Sequence, residues 1–404
     1  MKKSNVIVIS SEYPPHFVGG VGVLTRNLAV GLQKREMNVL VLTKGKKEKC
    51  ISQAGVKVAV IESDGEIYIK DKSRAYQQRM KFIRSSKKYL NGIYNFIILM
   101  DLFLFPEAYV LSKMLKVPLI SFFNQNFEEI FRSEGEDTYW VSDEYCVDSE
   151  NAYYIEKECL KKSFASLFVS DSLKKEMERL YWKGENLYAI PLGIDTAELD
   201  NNSDESIIRN KGIVHIACAG RLSKIKNFDT VIEAAKLVLN QTDGVQFHIY
   251  GKGKEKESLL CKLKELGLEE KVSIEYYYNR DVIDHIRLCD IAIVPSLYET
   301  FGLTLFEFMY LKKPVICSNI DVFKELIGFS DSVLMMKNNK DSEEMAEKIL
   351  LLIQNKELRQ TLGKKAHDHV CKYYTKECFA DRMETILCEL ERKKATEYYN
   401  AAMK

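Results

Sequence analysis

Several features that would mark a particular class of protein are missing from this chain of 404 residues. No apolar run reaches the roughly 18 residues that a membrane-spanning helix needs. The ten cysteines form no C-x-x-C pair, which speaks against a zinc site and against dithiol redox chemistry. The formal net charge of +1 is far from the strong basic excess of dedicated nucleic-acid binders. We therefore expect a globular protein of the reducing cytosol, with no bound metal and no nucleic-acid partner.

What is present is a regular alternation of two patterns. At this length two domains are expected. Short apolar runs alternate with amphipathic stretches, which predicts parallel sheets with helices on both faces. The polar stretch over residues 195–212 is predicted to link the two domains. The predicted strands cover residues 6–10, 39–43, 57–61, 96–100, 119–123, 167–169 and 188–190, then 214–219, 246–250, 272–275, 291–294, 315–317 and 333–335.

The most informative stretch runs from position 295 to 307 and reads Pro-Ser-Leu-Tyr-Glu-Thr-Phe-Gly-Leu-Thr-Leu-Phe-Glu. It follows a predicted strand and continues into a helical pattern. Glu299 then lies on a loop at the carboxyl end of a strand, where α/β proteins bind ligands, and Glu307 lies about two turns deeper in the helix. The helix amino terminus near Gly302 and Leu303 suits a phosphate. Two carboxylates at these depths could hold two different hydroxyl-bearing parts of a nucleotide-sugar.

A second group of candidates follows the first predicted strand of the second domain. In the stretch Ala-Gly-Arg-Leu-Ser-Lys-Ile-Lys-Asn-Phe, Arg221 and Lys226 lie where the strand gives way to a helix. A guanidinium and an ammonium that converge suit a diphosphate, although ordinary surface charge is the commonest role of these residue types. Lys224 in the same stretch is expected to be solvated. Gly251 belongs to a glycine-containing turn after the next strand.

The loop after the first strand of the chain is rich in glycine. It reads Tyr-Pro-Pro-His-Phe-Val-Gly-Gly-Val-Gly, in which Gly19 and Gly20 let the backbone approach a ligand closely. The dinucleotide pattern G-x-G-x-x-G is absent, because these glycines are adjacent and late. A helix is predicted from near Val21, so its amino terminus would point at whatever binds here. His16 is either a hydrogen-bond donor to substrate or an ordinary loop histidine.

Three of these strings together closely resemble motifs of the retaining glycosyltransferases of family 4, the glycosyl transferases group 1. The strings are Pro-Ser-x-x-Glu-x-Phe-Gly-Leu with its second glutamate (the E-x7-E motif), Gly-Arg-Leu-x-x-x-Lys-Asn, and Pro-Pro-x-x-x-Gly-Gly. The resemblance covers roughly residues 5–375. It implies the α/β fold called GT-B, in which two doubly wound Rossmann-like domains face a central cleft that holds the active site. The implied domains are an acceptor-side domain over 1–194, a nucleotide-sugar domain over 195–375, and a final helix in 376–404 that crosses back to the first domain.

The resemblance also implies a reaction. A sugar would move from a nucleoside-diphosphate-sugar, with UDP favoured, to an acceptor hydroxyl with retention of configuration, as in glycan, polysaccharide or glycolipid assembly. No D-x-D triplet occurs, so fixed charges and helix termini would hold the diphosphate in place of a metal ion, and no cofactor is implied. Two other activities stay open. One is a sugar-nucleotide epimerase of the same fold, and the other is a non-catalytic partner that binds nucleotide-sugars.

Roles follow from the matching positions. Catalytic roles are implied for Arg221 and Lys226, which would neutralise the departing diphosphate, and for Glu299, which would orient the donor sugar. Glu307 would hold the ribose hydroxyls. The other predicted substrate-binding positions are His16, Gly19, Gly20, Asn124, Gly251, Phe301, Gly302 and Leu303.

Two departures from the family pattern bear on this assignment. Asn124 stands where family members often carry a histidine that acts near the sugar, and an amide cannot take a proton at neutral pH. In a front-face mechanism the leaving phosphate oxygen can take the acceptor proton, and no protein base is then needed. The stretch Tyr-Tyr-Tyr-Asn-Arg at 276–280 replaces the usual glycine-containing loop beside the base, so the identity of the base stays open.

Charge is unevenly distributed in the first half of the chain. Tyr76, Met80 and Ile83 fall at helical spacing within a basic segment, which is either a core helix with a solvated outer face or a basic amphipathic helix on an anionic membrane. The second reading would suit a lipid-linked acceptor and a position at the inner face of the membrane. An acidic stretch at 128–158 has no predicted role. The basic residues of the segment are Lys70, Lys72, Arg74, Arg79, Lys81, Arg84, Lys87 and Lys88.

Overall fold

The computed structural model of the protein describes residues 4–15, 20–63, 72–134, 138–140, 146–181, 184–200, 212–277, 281–328 and 330–402. The chain separates into two units. Unit 1 comprises Met1–Leu192 and Lys376–Lys404, and unit 2 comprises Gly193–Thr375. The segments that precede and follow unit 2 in sequence therefore belong to one folded body.

The elements follow one another in nearly strict alternation. The strands are β1 (Asn5–Ile9), β2 (Asn38–Gly45), β3 (Lys49–Gln53), β4 (Val56–Glu62), β5 (Phe96–Leu99), β6 (Leu119–Phe123), β7 (Thr138–Trp140), β8 (Cys146–Asp148), β9 (Ala165–Phe168), β10 (Leu187–Ala189), β11 (Val214–Ala219), β12 (Val245–Tyr250), β13 (Val272–Glu275), β14 (Ile291–Val294), β15 (Val315–Cys317) and β16 (Leu334–Met335). The helices are α1 (Gly20–Lys34), α2 (Lys72–Ser86), α3 (Phe105–Leu115), α4 (Phe127–Glu134), α5 (Ser149–Lys162), α6 (Asp171–Leu180), α7 (Thr196–Asp200), α8 (Phe228–Leu239), α9 (Lys256–Leu266), α10 (Asp281–Leu288), α11 (Leu303–Tyr310), α12 (Asp321–Ile327), α13 (Ser342–Gln354), α14 (Lys356–Tyr373) and α15 (Lys376–Ala402). Short 3-10 helices occur at Lys87–Tyr89, Leu102–Leu104 and Lys224–Lys226.

The unit 1 sheet has the order β10-β9-β6-β5-β1-β2-β4-β3. Its central strands are apolar runs that are buried on both faces, as parallel strands covered by helices usually are. The chain leaves β1 towards β2 on one side and returns from β4 to β5 on the other. The winding direction therefore changes between β1 and β5, and open α/β sheets bind ligands at the carboxyl end of such a switch point.

Right-handed crossovers decide which face of the unit 1 sheet each helix covers. The step from β1 to β2 puts α1 on one face, whereas the steps from β4 through β5 and β6 to β9 put α2, α3 and α5 on the other. The contacts agree, since α15 packs on α1, α2 packs on α3, and α3 contacts α5. Gly31 of α1 is so close to α15 that a Cβ atom on it would lie 2.6 Å from the Ala380 Cβ. Among the helices that the structure describes, none combines the length and the apolar content needed to cross a bilayer.

Two features of unit 1 differ from the purely parallel sheet that the alternation predicts. β3 pairs antiparallel with β4 at the edge of the sheet. β7 and β8 form a separate antiparallel ribbon. The sequence of β3, Lys-Cys-Ile-Ser-Gln, contains no apolar run, because an antiparallel edge strand needs at most one apolar face. The search for short apolar runs therefore misses such strands.

The unit 2 sheet has the order β13-β12-β11-β14-β15-β16, and each of these neighbouring strands pairs in parallel with the next. One face packs with α8, α9 and α13 around a core that includes Ile216, Phe247 and Val231. Four strands, β11, β13, β14 and β15, have the predicted bounds. The predicted linker is wrong at its start, where residues 196–200 form α7 and belong to unit 2. Residues 201–211 of that stretch lie outside the described part of the chain.

Candidate functional site

The carboxyl ends of β11 and β14 lie side by side in unit 2 and bring Lys226 and Glu299 together. The Lys226 Nζ forms an ion pair with the Glu299 carboxylate, and Ser296 Oγ donates a hydrogen bond to the same carboxylate at 2.8 Å. The two loops are also joined through the backbone, where the Leu297 N–H donates to the Ile225 carbonyl oxygen at 2.7 Å. Only 18% of the Lys226 side chain and 15% of the Glu299 side chain are exposed. The carboxyl edge of this sheet therefore holds a fixed cation beside a fixed anion.

The turn that presents Lys226 is itself held in place. The next residue, Asn227, has a φ of 53°, a left-handed conformation that asparagine tolerates better than most residues. The Asn227 side chain donates to the Asn339 carbonyl oxygen at 2.8 Å and accepts from the Thr230 hydroxyl at 2.9 Å. These bonds fix the point at which the 3-10 helix ends and α8 begins, and so they fix the position of Lys226.

The remaining predicted residues of this loop differ in their surroundings. Arg221 and Lys224 are both exposed, so Arg221 is not held by burial as Lys226 is. Gly251, at the end of β12, lies against Gly220, because a Cβ atom on Gly251 would be 1.9 Å from the Gly220 carbonyl oxygen. The ends of β11 and β12 thus approach too closely for a side chain on Gly251, whose nearest neighbour is the Gly220 backbone.

A tight turn through Gly302 leads into α11. Gly302 has a φ of 87°, and a Cβ atom there would lie 2.6 Å from the Phe323 ring. Phe301 is buried and stacks on Phe306 with ring centroids 4.7 Å apart, so the part of Phe301 that is left for a ligand is its backbone. Leu303 is the first residue of α11, and the residue at the N-cap position, Gly302, has no side chain that could cap this end. The amino terminus of α11 therefore offers N–H groups to an anion.

Glu307 lies within α11, and the pKa of its carboxyl is raised above the ordinary value. Burial and, as a smaller cause, the carboxylate of Glu198 on α7 together raise the pKa of Glu307 to about 7. The repulsion between these like charges favours the protonated form of Glu307, or a ligand that donates hydrogen bonds to it. The described residues contain no group of three or more His, Cys, Asp or Glu side chains placed to hold a metal ion.

In unit 1, the loop after β1 lies at the switch point of the sheet. The Ser11 hydroxyl contacts the Asp101 carboxylate, which links this loop to the one after β5. The Glu12 carboxylate accepts a hydrogen bond from the Gly22 N–H in the first turn of α1, at 3.1 Å. The helix terminus that was expected to face a ligand therefore already binds a carboxylate of the protein at one N–H group.

Of the three predicted residues in this loop, Gly20 is exposed and begins α1. His16 and Gly19 lie outside the described residues. The other predicted residue of unit 1, Asn124, is half-buried directly after β6. Its loop leads into α4, which begins three residues later at Phe127.

A buried carboxyl on α5 fixes the start of α4. Glu156 accepts hydrogen bonds from the Phe127 N–H and from the Tyr181 hydroxyl, both at 2.9 Å. Burial raises the pKa of Glu156 to about 8, although both hydrogen bonds lower it. Glu156 thereby anchors the segment that follows Asn124.

Sequence reasoning missed four of these carboxylates and hydroxyls. Ser296 lies inside the quoted string, three residues before Glu299, and could have been found there. Glu12 follows the first strand almost directly, which is also a local signal. Glu156 and Glu198 are far in sequence from the residues that they affect, and no local pattern marks them.

Two family models match the chain. The model described as Glycosyltransferase Family 4 matches residues 18–198. The model described as Glycosyl transferases group 1 matches residues 200–369. Together the two ranges cover most of the chain and meet close to the boundary between unit 1 and unit 2.

Individual relatives are more distant. The poly(ribitol-phosphate) alpha-N-acetylglucosaminyltransferase of Staphylococcus aureus is 29% identical over 189 residues, which are 45% of this chain and 36% of that enzyme. The alpha-D-kanosaminyltransferase of Streptomyces kanamyceticus is 23% identical over 290 residues, which are 70% of this chain and 73% of that enzyme. The match thus spans about a third of the first relative and about three quarters of the second.

Solved structures share the fold over nearly the whole length. The sucrose-phosphate synthase of Thermosynechococcus elongatus superposes with a TM-score of 0.75 at 17% identity and covers 96% of this chain and 99% of its own. The Anabaena protein HepE, solved with UDP and glucose, gives 0.72 at 15% identity and covers 96% and 100%. The predicted fold class is confirmed by these neighbours. With both family models matched and this fold shared, the chain belongs to the glycosyltransferases of family 4, which are transferases of the GT-B fold.

Proposed function

We propose that the protein is a retaining glycosyltransferase that moves a sugar from a nucleoside-diphosphate-sugar, with UDP favoured, to an acceptor hydroxyl in glycan, polysaccharide or glycolipid assembly. The observation that carries the proposal is the largely buried pair of Lys226 and Glu299 in the same unit as the start of α11, whose N-cap residue is a glycine. Cationic, anionic and N–H groups at one sheet edge match the diphosphate and the hydroxyls of such a donor. The relatives named as N-acetylglucosaminyl and kanosaminyl transferases support the same class of reaction.

In the proposed reaction, the bond from the anomeric carbon to the diphosphate oxygen breaks while a bond to the acceptor oxygen forms on the same face. The electron pair of the broken bond goes to the diphosphate, where Lys226 and Arg221 stabilise the added charge together with the N–H groups of α11. The proton of the acceptor hydroxyl passes to the leaving phosphate oxygen. No protein base is required, so Asn124 and the backbone at Gly20 have the role of hydrogen bonding to substrate.

Glu299 and Glu307 have proposed roles in positioning the donor. Glu299, already held by Lys226 and Ser296, is placed to accept hydrogen bonds from hydroxyls of the donor sugar. Glu307 accepts from the ribose hydroxyls, and the backbone of Gly251 and of residues 301–303 contacts the donor. Each carboxylate accepts two or more hydrogen bonds when it is ionised.

The proposed reaction needs no metal and no other cofactor, because protein cations and helix N–H groups neutralise the diphosphate. Binding of the donor should therefore be the same in EDTA as in magnesium.

The proposed site of action is the cytoplasm. A lipid-linked acceptor would bring the enzyme to the inner face of the membrane, where the basic segment that contains α2 would meet anionic headgroups.

Substitution of Lys226 tests the proposal directly. Loss of one donor that stabilises developing charge typically lowers turnover by about 10²–10³-fold, and we expect this for Lys226→Ala. Lys224→Ala is the matched control, because Lys224 lies two residues away and is exposed. Thermal unfolding of both variants checks that they fold. Turnover of Lys226→Ala within about threefold of wild type would overturn the assignment, since the expected loss is at least about 10²-fold.

The donor is identified by thermal stabilisation. A ligand that binds only the folded state raises the melting temperature, so a panel of UDP-, GDP- and ADP-sugars reveals the base. The shift should disappear in Glu307→Ala. No shift with any member of the panel would contradict the proposed donor class.

A non-catalytic role in nucleotide-sugar binding is the second candidate, and Asn124 in place of the usual histidine is the observation that favours it. Such a protein would show the thermal shift but would neither transfer the sugar nor hydrolyse the donor. Slow donor hydrolysis without acceptor, lost in Lys226→Ala, would exclude this candidate.

A further inference from the structure

The outer surface of α2, α3 and α5 in unit 1 exposes large apolar side chains to solvent. Tyr76 on α2 is 65% exposed, Val110 and Met114 on α3 are 40% and 46% exposed, and Tyr154 on α5 is 63% exposed. In the described part of the chain nine large apolar side chains are exposed to this degree, and these are four of them. Such side chains are normal when scattered, so their concentration on three neighbouring helices needs an explanation.

The three helices form one continuous surface. They lie on the same face of the sheet, with α3 in contact with both α2 and α5. Lys113 of α3 and Lys162 of α5 both lie over the ring of Tyr109, at 5.1 and 5.3 Å from its centroid. The basic and aromatic side chains of neighbouring helices are therefore mixed within the surface and do not form separate patches. We call this outer surface of α2, α3 and α5 the basic face.

The charge of the basic face is strongly positive. α2 contains no acidic residue at all. The acidic residues of α3 and α5 are largely withdrawn, since Glu107 and Glu156 are buried and Glu158 is paired with Lys162. Glu150 at the start of α5 is the exposed exception. The exposed cations on the three helices include Arg79, Arg84, Lys113, Lys157 and Lys161.

The structure changes the sequence prediction for this region. Tyr76, Met80 and Ile83 were expected to form one apolar stripe, but Ile83 faces the core at 5% exposure while Tyr76 faces solvent. α2 therefore packs on the core and also exposes apolar side chains to solvent. The two alternatives from the sequence, a core helix and a basic amphipathic helix, do not exclude each other. The contributions of α3 and α5 have no counterpart in the basic segment that the sequence singled out.

We propose that the basic face binds the surface of an anionic lipid bilayer. Each Lys or Arg near such a surface adds a favourable electrostatic contribution, and tyrosine and methionine side chains bury apolar area at the headgroup boundary. A nucleic acid would use the cations but would leave separate aliphatic side chains such as Val110 and Met114 without a partner. The proposal does not depend on sugar transfer, but it deepens the proposed function by favouring a lipid-linked acceptor.

Co-sedimentation of the full-length protein with vesicles tests the proposal. Phosphatidylcholine vesicles with about a third phosphatidylglycerol should retain the protein at low salt, pure phosphatidylcholine vesicles should not, and added salt should release it. The triple variant Lys113→Gln, Lys157→Gln, Lys161→Gln should lower the partition coefficient about tenfold or more. The charge-matched control is Lys256→Gln, Lys264→Gln, Lys365→Gln in unit 2, where all three lysines are also exposed.

The apolar contribution has its own matched pair. Met114 and Leu351 are both helical and both 46% exposed, so Met114→Ser should weaken vesicle binding and Leu351→Ser should not. Equal binding of the two triple variants, or failure of the wild type to bind anionic vesicles, would overturn the proposal. Thermal stabilisation by the donor is measured in the same preparations. If the basic face does not bind membranes, vesicle binding is absent while the donor still stabilises the protein. If the proposed function is wrong, the donor gives no stabilisation while vesicle binding remains.

Discussion

At the scale of single residues, Glu307 links the site to pH. The pKa of this carboxyl is raised to about 7, so it loses its proton as pH rises through neutrality. An ionised carboxylate accepts hydrogen bonds from both ribose hydroxyls, whereas the protonated form has less acceptor capacity. We expect the affinity for the donor to rise by up to about tenfold between pH 6 and pH 8, because one pKa unit corresponds to a tenfold change in ionisation.

Calorimetric titration with the nucleotide-sugar at pH 6, 7 and 8 measures this. The donor is suitable because its diphosphate is esterified at both ends and does not titrate in that range. Glu307→Gln is the control, since an amide keeps the shape and cannot ionise, and its affinity should not vary with pH. A wild-type affinity that is equal at pH 6 and pH 8 would contradict the role of Glu307.

The turn at Gly302 gives a second residue-level prediction. Gly302→Ala adds a Cβ atom 2.6 Å from the Phe323 ring and also forces alanine to a φ of 87°. Gly267→Ala is matched for the backbone, with a φ of 66°, but its Cβ atom would meet nothing within 4 Å. We expect Gly267→Ala to lower the free energy of unfolding by about 1 kcal/mol and Gly302→Ala to lower it by more, with weaker donor binding as well. If urea denaturation gives equal losses of unfolding free energy for the two variants, the contact with the Phe323 ring is relieved at no cost in stability.

Strong local patterns in the sequence mark Lys226 and Glu299, which the structure brings together at the unit 2 edge. Glu299 and Lys226 each follow a recognisable strand, and parallel strands end at the same edge, so their meeting could be expected. The hydrogen bond between Glu12 and Gly22 could not be expected, since the two residues are ten positions apart and no local pattern pairs them. Long-range partners such as Glu198 and Glu307 require the tertiary structure.

At the scale of elements, Glu156 is expected to determine how firmly α4 begins. Glu156→Leu leaves the Phe127 N–H and the Tyr181 hydroxyl without their partner, which costs about 1–3 kcal/mol for each buried group. Glu156→Gln retains an acceptor and should lose less. Glu150→Gln, an exposed position on the same helix, should have no effect. Free energies of unfolding in urea measure all three variants, and a Glu156→Leu variant as stable as wild type would contradict the anchoring role.

The same carboxyl makes stability depend on pH. The pKa of Glu156 is about 8 in the folded protein and near its ordinary value of 4.5 in the unfolded chain. Its contribution to stability is complete below about pH 4.5 and is lost as pH rises to and through 8, because between these two values the folded state holds a proton that the unfolded state has released. The difference in free energy of unfolding between wild type and Glu156→Gln should therefore shrink or reverse from pH 5 to pH 8. A pH-independent difference would show that Glu156 does not titrate in this range.

Element types were predictable wherever burial demands an apolar run. In unit 2, β14 and β15 are buried and apolar along their whole length, and both match their predicted bounds. Among the misses, β3 and α7 are short and partly exposed, so neither needs such a run. Charge and spacing predicted α2, but which of its apolar residues face the core depends on its neighbours in the sheet.

At the scale of the whole molecule, the two units differ in how they are assembled from the chain. Unit 2 is one continuous segment with its own core, whereas unit 1 needs α15 from the far end of the chain. The sequence alternation predicted two sheets but could not give the strand order, because alternation is the same for any order of parallel strands. The packing of α15 on α1 follows from the close approach of Gly31 and Ala380, which no local pattern reveals.

This asymmetry makes a prediction about fragments. The fragment Gly193–Thr375 keeps every element of unit 2, so it should unfold cooperatively and be stabilised by the same nucleoside diphosphate as the full chain. The fragment Met1–Thr375 loses the α15 side chains that are buried in unit 1, which are Phe379, Ala380, Met383, Leu387 and Leu390. Loss of several fully buried apolar side chains exceeds the usual margin of stability, since each contributes about 1.5–3 kcal/mol.

Differential scanning calorimetry distinguishes the two cases. We expect the unit 1 transition to be missing from Met1–Thr375, while a ligand-dependent transition remains in both fragments, because the residues that hold Lys226 and Glu299 in place all belong to unit 2. Gly31→Leu in the full chain provides an independent test, since it pushes α15 away without deleting it and should lower the unit 1 transition alone. If Gly193–Thr375 shows no cooperative transition, the core of unit 2 needs contacts outside that segment. If Met1–Thr375 unfolds like the full chain, the core of unit 1 does not need α15.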